Sequence, residues 1–303
     1  MAKKLAIIIP AYKHSFLRQA LDSIACQTCK DFTLYIGDDC SPYPIRDIVN
    51  EYAEKIDIVY RRFDTNLGGK DLVAQWERCI AMSTEEPYIW LFSDDDEMEP
   101  QCVASFLNEI KTTCDFYDIY HFDVKIINNN NEVIKDHNSY PQNLDCIGFY
   151  KGKLRSRFPS LVVENIFTRE IYNKSKGFKN FDLAWGSDTA TWTIFSADKG
   201  LYTIPDAKVL WRNSDQNITP DFSPEIVKRK VKSLNEFLKW GLEFFKCRNK
   251  NVFLTNLRAY INRMTKFHVH ISDRDFKEAT KEFCRNHHCS YLFLPLYYFI
   301  KNR

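Results

Sequence analysis

The sequence predicts an α/β fold: a mostly parallel sheet with helices on both faces, followed by a helical region. Three observations carry this reading. Short apolar runs alternate with helical spacings through the first 127 residues. Polar or acidic clusters follow three of those runs. After Pro224 the pattern is almost wholly helical.

Residues 5–10 form a continuous apolar run, the signature of a strand buried on both faces. Phe16, Leu17, Ala20, Leu21 and Ile24 then recur at helical spacing. A second strand is predicted over 32–37, ending at Asp38-Asp39, and a second helix over 45–55. Residues 56–63 read as a third strand, Asn66-Leu67-Gly68-Gly69 as a turn, and 71–82 as a third helix. The fourth strand, 88–92, runs straight into Ser93-Asp94-Asp95-Asp96-Glu97. A helix over 99–113 and a strand over 116–127 complete the alternation, which implies a mostly parallel sheet. Further on, strand-like pieces (161–167, 201–204, 208–211) surround one clear helix, 187–197. Helices follow over 225–246, 252–267 and 273–286, then an aromatic stretch, 291–300. A boundary near 220–224 gives one domain over 1–222, with halves 1–127 and 128–222, and a helical region over 223–303.

Composition narrows the functional classes. The 303 residues include 42 Lys and Arg against 40 Asp and Glu, so the net charge of +2 argues against a nucleic-acid binder. No apolar run reaches the ~18–20 residues that span a bilayer. Ten scattered cysteines, with Cys26 and Cys29 the only tight pair, match no zinc pattern and are expected to be free thiols in a reducing cytoplasm. The stretch 291–300 is too short to span a bilayer. It is expected to pack on the sheet-bearing domain, with peripheral contact at the cytoplasmic face of a membrane as the alternative.

In an open parallel sheet, ligands bind at the carboxyl ends of the strands. Three clusters fall there: Pro10-Ala11-Tyr12-Lys13-His14, Gly37-Asp38-Asp39-Cys40-Ser41, and the acidic run at 93–97. At least five carboxylates therefore share one edge, an arrangement that calls for a cation or hydrogen-bond donors. Carboxylates with room for water suit Mg²⁺ or Mn²⁺ bridging to a diphosphate. Any one of these aspartates, taken alone, is equally well explained as a helix cap or turn former.

These residues carry a family resemblance. Ile7-Ile8-Ile9-Pro10-Ala11-Tyr12, Leu21-Asp22-Ser23-Ile24 with Gln27-Thr28, Asp31-Phe32, and Gly37-Asp38-Asp39 with Ser41 resemble the opening of glycosyltransferase family 2. Asn66-Leu67-Gly68 and Tyr88-Ile89, Phe92 and Asp95-Asp96 continue it in order, over about residues 5–100. The resemblance implies a GT-A type, Rossmann-like fold. It also implies a metal-dependent inverting enzyme that moves a sugar from a nucleotide-diphosphate donor to a hydroxyl of a glycan or lipid-linked acceptor, in surface polysaccharide synthesis. The half 1–127 would bind the donor and the half 128–222 the acceptor.

On the matching positions, Pro10, Ala11, Tyr12, Asp39, Asn66, Gly68, Asp94 and Asp95 would bind the donor nucleotide. Asp94, Asp95 and Asp96 would hold Mn²⁺ or Mg²⁺. Ser93 stands where the family commonly has an aspartate, and Ala74-Gln75-Trp76 where it often has Arg-Asn. Asp188 matches the family's catalytic base, with Ser187 in place of the usual Glu and Asp182 next in line. Trp185 is a candidate wall for an acceptor sugar, and Arg212 a candidate phosphate contact. Two rival readings remain at this point. A sugar-phosphate nucleotidyltransferase uses a similar sheet, but the loop after the first strand has no glycine. A catalytically inactive carbohydrate-binding or scaffold protein would explain Ser93 and Ser187.

Overall fold

The computed structural model describes residues 3–137, 140–214 and 221–302. Among the described residues, ten strands form one sheet: β1 (Leu5–Ala11), β2 (Phe32–Asp38), β3 (Ile58–Arg62), β4 (Tyr88–Leu91), β5 (Glu97–Met98), β6 (Ile119–Ile127), β7 (Val133–Asp136), β8 (Asn143–Leu144), β9 (Asn165–Thr168) and β10 (Leu201–Arg212). The spatial order is β3-β2-β1-β4-β9-β6-β10-β5, with β7 on β6 and β8 on β10. The longest ladders are parallel: β1 runs with β2 and β4, β2 with β3, and β6 with β10. Short antiparallel ladders join β9, β5, β7 and β8 to this frame.

The apolar run of β1 is buried on both sides. Leu5, Ile7 and Ile9 share a core with Leu17, Leu21 and Ile24 of α1 (Leu17–Ala25) and with Val103 and Phe106 of α4 (Cys102–Thr112). Ala6 and Ile8 point the other way, as alternate strand residues must, and are equally buried. α3 (Leu72–Ile80) packs on β1, β2 and β4, and the Asp71 carboxylate caps it by accepting from the Ala74 N–H at 3.0 Å. Each fully buried aliphatic side chain contributes about 1.5–3 kcal/mol, so this frame is the stable base on which the loops sit.

The structure departs from the pattern reading in particular places. The pieces at 201–204 and 208–211 are one strand, β10, with a register shift between Ile204 and Lys208. Pro205, which has no N–H, and Asp206, at φ 66°, absorb the irregularity. Of the stretch 161–167, only β9 is a strand. The aromatic stretch forms a helix, α11 (Phe293–Lys301). Pro295 is tolerated because it lies in the first turn, where the backbone N–H has no intrahelical acceptor. Two helices escaped the pattern: α5 (Cys146–Leu154) and α6 (Arg169–Lys174).

The chain divides into two compact units. The first comprises 1–146, 158–178 and 191–214, and holds the sheet. The second comprises 147–157, 179–190 and 215–303. It holds α5, the start of α7 (Ser187–Phe195), and the helices α8 (Pro224–Lys246), α9 (Phe253–Phe267), α10 (Asp273–Asn286) and α11. Its core includes Tyr260 stacked on Phe283, with ring centroids 4.1 Å apart. The Tyr150 hydroxyl donates to Asn256 Oδ1 at 2.9 Å. All ten cysteines are free.

Candidate active site

The carboxyl ends of β1 and β2 are tied together by backbone. The Asp39 N–H donates to the Ala11 carbonyl at 2.9 Å, and the Ser41 hydroxyl donates to the Tyr12 carbonyl at 2.6 Å. The two adjacent aspartates then part company. Asp38 is wholly buried and is held by the Ser41 N–H (2.8 Å), the Tyr60 hydroxyl (2.6 Å) and Arg62 (2.8 Å). It is a bracket for the strand end. Asp39 accepts from the Leu67 N–H at 2.7 Å and the Gly68 N–H at 2.8 Å, and pairs with Arg78. A Cβ on Gly68 would sit 2.7 Å from Asp39 Oδ2, so this approach demands glycine. Asn66 turns the loop by accepting from the Gly69 N–H at 2.8 Å. Pro10 and Ala11 close β1, and Tyr12 is 40% exposed beside them.

Arg78 was not legible in the sequence. It lies on α3 beyond the Ala74-Gln75-Trp76 segment, stacks 4.0 Å over Phe63, and donates to the Thr65 carbonyl at 2.9 Å. It thus supplies an arginine to Asp39 from a later helical turn. No spacing in the sequence marks it, since its role follows from where the end of a long side chain lands.

The acidic run forms a tight loop after β4. Asp94, Asp95 and Asp96 are all buried. Asp94 Oδ2 accepts from the Tyr12 and Lys13 N–H groups at 2.8 and 2.7 Å. The Lys13 ammonium pairs with Asp95 and lies 3.7 Å from Asp94 Oδ1. Asp96 points inward: Oδ1 accepts from the Arg212 N–H at 2.7 Å and Oδ2 lies 2.6 Å from the Ser93 hydroxyl. The Ser93 oxygen also accepts from the Asp96 N–H at 3.1 Å, so serine here fastens the loop. Burial, and next the attraction of Lys13 and repulsion by Asp95, leave the Asp94 carboxyl above its ordinary range. Burial and the Asp95 charge push Asp96 up as well.

Arg212 is fully buried and spent within the protein. Its guanidinium donates to the Asp95 carbonyl (2.9 Å) and the Asn128 carbonyl (2.8 Å), pairs with Glu97, and stacks 4.2 Å over Phe16. It fixes the acidic loop to the end of β10.

In the second unit, Asp188 stands in the first turn of α7, half-buried. Burial raises its pKa above the ordinary carboxylate range, opposed by Lys153 and by donors at Thr189. The chain reaches it through Leu183 (φ 59°), Ala184 (φ 54°) and Gly186 (φ 97°). Two left-handed non-glycine residues together are costly, and such strain concentrates at functional sites. Ser187 accepts from the Phe181 N–H at 2.9 Å, so it braces the turn. Asp182 is bound by both arms of Arg229 at 2.9 and 2.6 Å, which holds its carboxyl below the usual range. Trp185 has Lys230 at 4.8 Å and Arg263 at 5.7 Å from its ring.

Comparison with known proteins bears on the family and the fold. The model of the family described as glycosyl transferase family 2 matches residues 6–175. Poly(ribitol-phosphate) beta-N-acetylglucosaminyltransferase TarS of Staphylococcus aureus (strain Mu50 / ATCC 700699) is 28% identical over 129 residues, which are 41% of this chain and 20% of that protein. Succinoglycan biosynthesis protein ExoW of Rhizobium meliloti (strain 1021) is 40% identical over 62 residues, 18% of this chain and 19% of that protein. These matches thus span about a fifth of the length of each curated relative. The crystal structure of S. aureus TarS 1-349 in complex with UDP-GlcNAc superposes with a TM-score of 0.61 at 15% identity, covering 99% of this chain and 90% of that one. The fold is therefore shared with TarS, and because the family model takes in more than half of the chain, the protein belongs to glycosyl transferase family 2.

Proposed function

We propose that the chain transfers a sugar, with inversion and with the help of a divalent metal, from a nucleoside-diphosphate sugar to a hydroxyl of a glycan or lipid-linked acceptor in polysaccharide synthesis. One observation carries the reading: the Asp39 bracket and the acidic loop at 94–96 lie at the carboxyl ends of β2 and β4, both neighbours of β1, and are joined through Ala11, Tyr12 and Lys13. A nucleoside belongs at the first and a diphosphate at the second. The names of TarS and ExoW point the same way, to glycan assembly, and make UDP-GlcNAc the first donor to try.

Pro10, Ala11 and Tyr12 line the nucleoside pocket in this reading. Asp39, Asn66 and Gly68 form its end wall. Asp39 spends three of roughly four acceptor positions inside the protein and keeps one for the donor. A divalent ion fits the acidic loop in part. Among the described residues no three acidic, histidine or cysteine side chains converge into a cage. Mg²⁺ and Mn²⁺ sites often use one or two carboxylates and complete the shell with phosphates. Asp95 and Asp94 Oδ1, where the Lys13 ammonium already stands in for a cation, are the groups that would hold it. Asp96 would support the loop, since its oxygens face Arg212 and Ser93. The ion would neutralise charge on the departing diphosphate. Lys13 adds a fixed positive charge beside the same loop, and Arg212 keeps that loop in shape.

Asp188 takes the proton of the acceptor hydroxyl. That oxygen bonds to the anomeric carbon from the side opposite the leaving diphosphate, which inverts the centre. Burial raises the basicity of Asp188, and Trp185, three residues before it, would be the wall against which the acceptor sugar packs in this reading. A screen of nucleotide sugars with Mn²⁺, reading release of nucleoside diphosphate, tests the whole scheme. Release with one donor, stopped by EDTA, is expected. No release from any donor would favour an inactive binding protein, and full turnover in EDTA would remove the metal from the mechanism.

A further inference from the structure

Overall charge hides a strong asymmetry. Residues 248–303 hold eleven Lys and Arg against four Asp and Glu, a net +7, whereas residues 1–247 hold 31 against 36, a net −5. Three of those four acids are already paired: Asp273 with Lys301, Asp275 with Lys228, and Glu278 with Arg274. On α10, Phe276, Ala279, Thr280 and Phe283 are buried, and Lys277, Lys281 and Arg285 line the exposed face.

The same region exposes apolar side chains. α11 anchors itself through Leu296 and Ile300, and Tyr297 stacks on Phe276 of α10. Its other face leaves Leu294 56% and Tyr298 57% exposed, with Tyr291 at 77% just before it. On neighbouring α9, Leu254 is 73% exposed. Leu254, Leu257 and Ile261 line a shallow groove with Phe299, and Arg258 stands at its wall. Residues 254, 257, 258 and 261 share one helical face.

Large exposed apolar residues grouped in this way mark a surface that meets something. The charge selects what. Aromatic and aliphatic side chains beside basic ones are the combination that enters the headgroup region of an anionic bilayer. A second copy would set the same basic segment, net +7 over residues 248–303, against itself. We propose that the α9–α11 face docks on an anionic lipid surface, with Leu254, Leu294 and Tyr298 entering the interface and Arg258 and the basic stripe of α10 supplying the attraction. This inference stands independently of the donor and the base.

The test is co-sedimentation of the full chain with vesicles. Phosphatidylcholine vesicles carrying about one third phosphatidylglycerol should bind the protein, and pure phosphatidylcholine vesicles should not. Raising the ionic strength from about 0.05 to about 0.5 M should release it. Leu294→Ser with Tyr298→Ser, and separately Arg258→Glu with Lys281→Glu, should each weaken binding by about tenfold or more, with the melting temperature unchanged. Failure of the parent protein to bind anionic vesicles at low salt overturns the proposal. So does undiminished binding by both variants, or a parent dimer that the Leu294→Ser, Tyr298→Ser variant converts to monomer.

Discussion

Asp188 and Asp182 are two aspartates six residues apart, and their surroundings give them opposite basicities. Arg229 holds Asp182 in its charged form, so it is a poor proton acceptor, whereas burial makes Asp188 a better one. Asp188→Asn should lower kcat by roughly 10²–10⁴-fold with donor affinity nearly unchanged, and Asp182→Asn should retain most of its turnover; steady-state kinetics of both variants would decide. A comparable kcat loss at Asp182 would reassign the base. The raised pKa has a pH signature. The active form is the carboxylate, so turnover falls as pH drops through that pKa, and the acidic limb should lie above the ordinary carboxylate range. A pH profile of kcat with a limb near the unperturbed Asp value of about 3.9 would contradict this. At the donor end, Arg78→Met should raise the donor KM with little change in kcat, because Arg78 orients Asp39 and touches no reacting atom in this scheme. The charge-keeping Arg78→Lys should recover part of the loss. Asp39 and Asp95 were visible as candidates because each follows a strand that the pattern marks, and Asp188 because the family resemblance points to it at a helix start. Arg78, Lys13 and Arg229 were not, because their importance lies in where a long side chain ends, which spacing along the chain does not encode.

Elements differ in how much of their form the chain announces. β1, β2 and β4 were plain, since strands buried on both faces read as unbroken apolar runs. β5 was not, because it is a two-residue ladder whose existence depends on a partner far along the sequence, and β9 was placed with its start four residues early. The turn before α7 is a third kind. Gly186 sits at φ 97°, and a Cβ there would lie 2.9 Å from Phe237 Cγ of α8. Gly186→Ala should therefore cost about 1–3 kcal/mol from backbone strain alone, read as a lower melting temperature. It should also displace Asp188, so turnover should fall by more than the loss of folded protein explains. A variant of wild-type stability and activity would show that the turn relaxes without cost.

For the whole molecule, the sequence made the sheet-bearing fold legible, while the second unit's membership was not. Residues 147–157 and 179–190 join the C-terminal helices through contacts between side chains such as Tyr150 and Asn256, 106 positions apart. Hydrophobic periodicity reports which face of an element is buried, but not against which other element.

The span between the acidic loop and Arg212 has a consequence for how the protein comes into being. Asp96 is bracketed by a residue 116 positions later, and β5 pairs only with the last part of β10. During synthesis, β1 to β4 can assemble while the loop between β4 and α4 still lacks its partner strand. Contacts this distant form late, because the intervening chain must first be ordered. The ends of β1 and β2 can thus be held together by their own contacts while the carboxylate loop still lacks its fastening. The acidic loop gains these fastenings when the strand ending at Arg212 has left the ribosome and paired with residues 97–98.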